Sequence, residues 1–180
     1  MQRASRTAFP LLLGAALLLG AAGPSAAQGL PGGASALNET HGDWTVACST
    51  PDGQVRCTVS QVQVNGESRQ RVLAIELTAT ENGNAASGTL VLPFGLALDP
   101  GVVLSIDEGT VLPPLRFSTC LPTGCLVPLA FGQETLAAMR AATALTVATA
   151  ASDSGQDLRF PISLAGFAAA LARATELHHP

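Results

Sequence analysis

Four cysteines are the residues best suited to chemistry in this 180-residue chain, and they form two local pairs, Cys48 with Cys57 and Cys120 with Cys125. Such pairs have three uses: a disulfide, a metal site or a redox dithiol. Zinc sites favour spacings such as C-x2-C, and the eight- and four-residue gaps here fit that poorly. A redox dithiol wants C-x-x-C at a helix N-terminus, and no such motif occurs. Structural disulfides are the expectation. Four cysteines allow three connectivities, and proximity favours the one that joins both local pairs. Each bridge should add about 2–3 kcal/mol by restricting the unfolded chain.

The other reactive side chains offer less. Histidines occur at His41, His178 and His179, all in expected tails. A catalytic histidine needs packed neighbours to hold its orientation, and tails do not supply them. Asp107 and Glu108 are adjacent carboxylates followed by Gly109, which reads as a solvated turn and not as an acid/base dyad. No catalytic residue, resident metal or cofactor is expected.

The disulfide reading depends on compartment. Arg3 and Arg6 precede an apolar run from Ala8 to Ala22, and small residues Ser25 and Ala27 follow. That order is the pattern of a secretory signal cleaved after Ala27. The run is shorter than the roughly 20 residues a spanning helix needs, so no stable membrane anchor is expected. Export places the mature chain in the periplasm or outside the cell, where cysteine pairs oxidise.

Charge narrows the partners. The formal net charge is −4, lysine is absent, and the arginines are scattered. Nucleic acid needs clustered basic residues, so it is excluded as a partner.

The elements that must position these groups follow from periodicity. Residues 1–27 are the signal, and 28–41 read as a flexible, Gly/Ala/Pro-rich lead-in. The folded domain spans 42–176, and 177–180 form a tail. Trp44, Val46 and Cys48 alternate on one strand face, and Pro51-Asp52-Gly53 turns the chain so that Cys57 returns opposite Cys48. Val55, Cys57 and Val59 share one face, whereas Val62 and Val64 share the other, which predicts a bulge or a strand changing sheets. Asn65-Gly66 predicts a tight hairpin, and 80–88 a polar loop. Further strands are expected around Leu73–Leu77, Leu90–Leu92, Val102–Ile106, Cys125–Leu129, Leu145–Thr149 and Leu158–Ser163. Residues 133–142 and 166–174 carry helical stripes. Many short strands with regular turn signals predict an all-β fold, a β-sandwich with one or two short helices.

Trp44 is expected to anchor the core against the Cys48–Cys57 bridge. Its alternative role is an exposed partner contact. The run containing Leu126, Val127, Leu129 and Phe131 has the same two readings: core strand, or a candidate partner-binding surface.

Several landmarks occur together in one order. They are Gly42-Asp43-Trp44, Cys48 and Cys57, Leu92-Pro93-Phe94-Gly95, Pro100-Gly101-Val102, Ile106-Asp107-Glu108-Gly109, Phe117-Ser118-Thr119-Cys120-Leu121-Pro122-Thr123-Gly124-Cys125, and Ser163-Leu164-Ala165-Gly166-Phe167. In order and spacing the chain resembles the invasion-associated locus B family of exported alphaproteobacterial proteins. The resemblance implies an immunoglobulin-like β-sandwich. It offers no catalytic residues, because the matching positions are those a fold needs. The expected function is therefore protein–protein contact, with a partner in the cell envelope or on a host surface. The alternatives are an accessory subunit bracing an envelope or membrane complex, a small-ligand carrier, and an enzyme.

Overall fold

The structure is a computed structural model that describes residues 29–178. The expected signal segment lies outside the described residues. Among the described residues, eleven strands form two antiparallel sheets. The larger has seven strands in the order β1 (Ala36–His41), β2 (Trp44–Ser49), β3 (Arg56–Val64), β4 (Arg71–Ala79), β5 (Ala86–Leu92), β9 (Gly124–Phe131) and β8 (Thr119–Leu121). The smaller has four, in the order β11 (Asp157–Ser163), β10 (Ala144–Ala150), β6 (Val103–Ile106) and β7 (Thr110–Val111). Helix α1 spans Gln133–Ala141 and helix α2 spans Phe167–His178. The expected all-β architecture, with two sheets, two helices and two disulfides, is borne out.

The alternation seen in the sequence drives the layering. Leu73, Ile75 and Leu77 of β4 and Leu90 and Leu92 of β5 are buried, and they join Leu104, Leu145, Val147 and Ile162 from the smaller sheet in one core cluster. Helix α2 adds Phe167, Ala170, Leu171 and Ala174 to that cluster and packs beside β2 and β3. Each large apolar side chain removed from water in this way stabilises the fold by about 1.5–3 kcal/mol.

Five local expectations are corrected. The stretch read as a flexible lead-in contains β1, paired with β2 over its full length. Its burial alternates, with Leu37, Glu39 and His41 half-covered. The Glu39 carboxylate accepts two hydrogen bonds from Arg173 of α2, at 2.9 and 3.0 Å, and this ion pair ties the strand down. The phase change in β3 does not move Val62 and Val64 inward. The strand keeps its face as far as Gln61, which is buried, and Val62 and Val64 stay exposed. A register shift does occur, but between Gln63 and Val64.

The Asn65-Gly66 signal builds a longer loop than a two-residue hairpin. Asn65 Oδ1 accepts from the backbone N–H groups of Glu67 and Ser68, at 2.9 Å each, and the chain closes between Asn65 and Gln70. Such an Asx turn needs only the asparagine side chain. Helix α2 runs past the expected boundary, so Leu177 is a buried helical residue and His178 is part of the helix. The polar loop also ends earlier than expected, because β5 starts at Ala86.

Gln61 explains its own burial. Its amide donates to the Ser163 carbonyl at 2.9 Å, and Gln63 donates to the Pro161 carbonyl at 2.8 Å. Trp44 Nε1 also donates to Ser163 O, at 2.8 Å. Three side chains of the larger sheet thus occupy outward carbonyls of β11, an edge strand of the smaller sheet. Pro161 has no N–H to leave open on that edge.

Candidate functional site

Both expected cysteine pairs are disulfides. Cys48 and Cys57 face each other directly across β2 and β3, with Cα atoms 4.1 Å apart, and both are buried. Cys120 and Cys125 face each other across β8 and β9, 3.9 Å apart. Cys125 is buried while Cys120 is exposed.

The five residues weighed as partner contacts are placed differently. Trp44 has 0% exposure, and its ring lies 4.9 Å from that of Phe167. The aromatic partner in the core is therefore a helical phenylalanine. Val127, Leu129 and Phe131 are inward residues of β9, and Leu126 is half-buried on its other face. The reading of these five as an exposed contact surface is corrected. Their alternation matches the register of β9 against β5, so the core claims one face of the run.

Two of the histidines also move out of their expected tails. His41 ends β1, with Nε2 3.3 Å from Glu39 Oε2. His178 lies in α2, and its Nε2 is buried with no hydrogen-bond partner among the described residues. His179 lies outside the described residues. Among the described residues, no group of three or more His, Cys, Asp and Glu side chains is placed to hold a metal ion.

Two carboxylates are held ionised by their surroundings. The Arg173 guanidinium hydrogen-bonded to Glu39 lowers its pKa below the ordinary 4.5, helped by His41. The Ala144 N–H, then the Thr143 hydroxyl and N–H, lower the Asp107 pKa below the ordinary 3.8. Asp107 adopts φ 47° and accepts from Thr143 Oγ1 at 2.8 Å and from Ala144 N at 2.9 Å, which fixes the start of β10. The turn reading of Asp107 and Glu108 stands, with a structural duty added for Asp107.

Concave surface lies on the outward face of the smaller sheet. Two adjoining concavities, of about 510 and 270 Å³, share Arg159 as a lining residue. Their floor comes from short side chains on the middle strands: Val103 and Ser105 of β6, and Thr146 and Ala148 of β10. Register places Thr146 between Ser105 and Pro161, and Ala148 between Val103 and Arg159. Val111 of β7 stands at the far side and is 67% exposed. The sequence reading missed this trough. Its only sequence signal is the alternation of Asp157, Arg159 and Pro161 with the inward Leu158, Phe160 and Ile162.

With fold and surface in place, comparison with known proteins defines the class: a two-sheet β domain of the invasion-associated locus B kind. Residues 44–175 match the family described as Invasion associated locus B (IalB) protein. The chain belongs to the invasion-associated locus B family. It is 46% identical over 147 residues to an Invasion protein B homolog of Brucella abortus (strain 2308), covering 82% of this chain and 84% of the relative. It is 34% identical over 157 residues to Invasion protein B of Bartonella bacilliformis, covering 86% of this chain and 82% of that one. The crystal structure of invasion associated protein b from Bartonella henselae superposes with a TM-score of 0.72 at 33% identity, covering 78% of this chain and 96% of that chain. Among the described residues no helix is long and apolar enough to cross a membrane. The two disulfides are those of a protein from an oxidising compartment.

Proposed function

We propose that this protein is a non-enzymatic binding protein of the periplasm or cell exterior that acts by contact with another protein. The observation that carries the reading is where its large apolar side chains go. The core takes most of them to a few percent exposure, yet Phe94 keeps 61%, Val62 59% and Val111 67%. Apolar side chains gathered into a patch mark interaction sites, and these three are the most exposed large apolar residues of the described chain. Relatives named invasion proteins support a role at a cell surface, whether the partner is a host molecule or an envelope complex that this domain braces.

The test is capture from envelope extracts and from host-cell membranes with the mature chain, in parallel with a Val62→Ser/Phe94→Ser/Val111→Ser variant. A reproducible partner that the triple variant loses supports the reading. Equal capture by the folded variant, or no partner from either source, overturns it.

A further inference from the structure

We propose that the trough on the outward face of the smaller sheet binds an extended peptide segment of the partner protein, set in register by charges complementary to Asp157 and Arg159. The inference rests on the contact reading above and adds the site and the chemistry of its occupant.

The first argument is shape. Val103, Ser105, Thr146 and Ala148 form a floor of short side chains, beside which Arg159 lines both concavities. A peptide backbone can lie close to such a floor. Residues 157–161 of β11 form one flank, about 13 Å long at strand rise, which matches four or five residues of extended chain.

The second argument is charge. Asp157, Arg159 and Pro161 sit at alternate positions of β11 and are all exposed. The ion pairs among the described residues join Glu39 to His41 and Arg173, and Arg173 to Glu176, and Arg159 takes part in none of them. Its guanidinium stands free where the two concavities meet. Neighbouring outward side chains of a strand are roughly 7 Å apart, and an extended ligand repeats that spacing. The complementary ligand therefore reads basic, acidic, apolar at alternate positions, facing Asp157, Arg159 and Pro161 in turn.

Other occupants fit less well. One arginine among Asp107, Glu108 and Asp157 does not attract a phosphate backbone. The lining has no aromatic ring on which a sugar would stack. Strand addition at the β11 edge is blocked, because the Pro161 and Ser163 carbonyls are already taken by Gln63, Gln61 and Trp44. Along the 161–163 end of β11, the face of the sheet is what remains open.

The test uses end-capped, fluorescein-labelled Lys-Thr-Glu-Thr-Val and its charge-swapped counterpart Glu-Thr-Lys-Thr-Val, titrated against the mature chain by anisotropy. The first peptide should bind about tenfold tighter, from two exposed charge pairs turned from repulsive to attractive. The double variant Asp157→Arg/Arg159→Asp should reverse the preference, and Ala148→Trp, checked for native circular dichroism, should abolish binding of both peptides. Equal affinity for the two peptides, no binding of either, or a preference unchanged by the charge reversal overturns the proposal. Envelope capture separates the two readings. A partner still held by Ala148→Trp sinks the trough and leaves the contact reading standing, whereas no partner for the native chain sinks the contact reading itself.

Discussion

Trp44 and Phe167 meet ring to ring at 4.9 Å, with planes tilted by 57°, although one opens the second strand and the other opens the last helix. Around them the two chain segments touch through backbone as well. Asp43 N–H donates to Ala165 O at 3.0 Å, and the indole N–H donates to Ser163 O at 2.8 Å. Phe167→Ala removes the aromatic partner from a fully buried site, so it should cost about 3–5 kcal/mol. Urea denaturation followed by Trp44 fluorescence measures this. A loss below about 1 kcal/mol would mean that the helix is not held by this contact.

Gly166 makes that close approach possible. It has φ +88°, and a Cβ there would lie 1.9 Å from the His41 carbonyl oxygen. Gly95 has a similar φ of +86° with nothing within 4 Å of a Cβ. Gly95→Ala should therefore cost only the conformational penalty, about 1–2 kcal/mol. Gly166→Ala should cost clearly more, because backbone must also move. Equal thermal midpoints for the two variants would contradict the packing described.

The two bridges close short loops, with sequence separations of 9 and 5. Loop-closure entropy gives each about 2–3 kcal/mol. Replacing Cys48 and Cys57 together by alanine should lower stability by that amount or more, because both positions are buried. Mass spectrometry of the unreduced chain after proteolysis should show the 48–57 and 120–125 linkages and no crossed pair.

Stability should fall on acidification. Glu39 and Asp107 both have folded-state pKa values below their ordinary ones. A lowered carboxyl pKa contributes stability that is fully present above the unfolded-state value. It is lost as pH falls through the folded-state value. The window therefore opens below about pH 4.5 and extends downward. Glu39→Gln should flatten the acid limb of a stability-against-pH curve, and so should Asp107→Asn. An unchanged acid limb in both variants would remove these groups as its cause.

Much of this fold was legible because alternation is strong where one face is core. Trp44, Val46 and Cys48 gave β2 its face, and the turn at 51–53 set Cys57 opposite Cys48. The helices showed through their stripes, with Leu136 and Met139 buried in α1 as the spacing required. Where the sequence misled, a long-range partner decided. Leu37, Glu39 and His41 alternate weakly, and β1 is secured by Arg173, far along the chain. Gln61 looked like a break in the apolar face because its partner is the edge of a strand about a hundred residues later. The trough was invisible for a related reason. Its floor comes from two separate segments and consists of small side chains, which carry no periodic signal of their own.

The junction of β1 and β2 with α2 also sets an order of assembly. A polypeptide is made, and threaded across a membrane, beginning with its N-terminal end. Until Phe167 and Arg173 of α2 emerge, Trp44 has no ring to lean on and Glu39 no guanidinium to grip. The early strands must therefore wait, unfinished, for residues more than a hundred positions further on, and this junction locks only once α2 has been delivered.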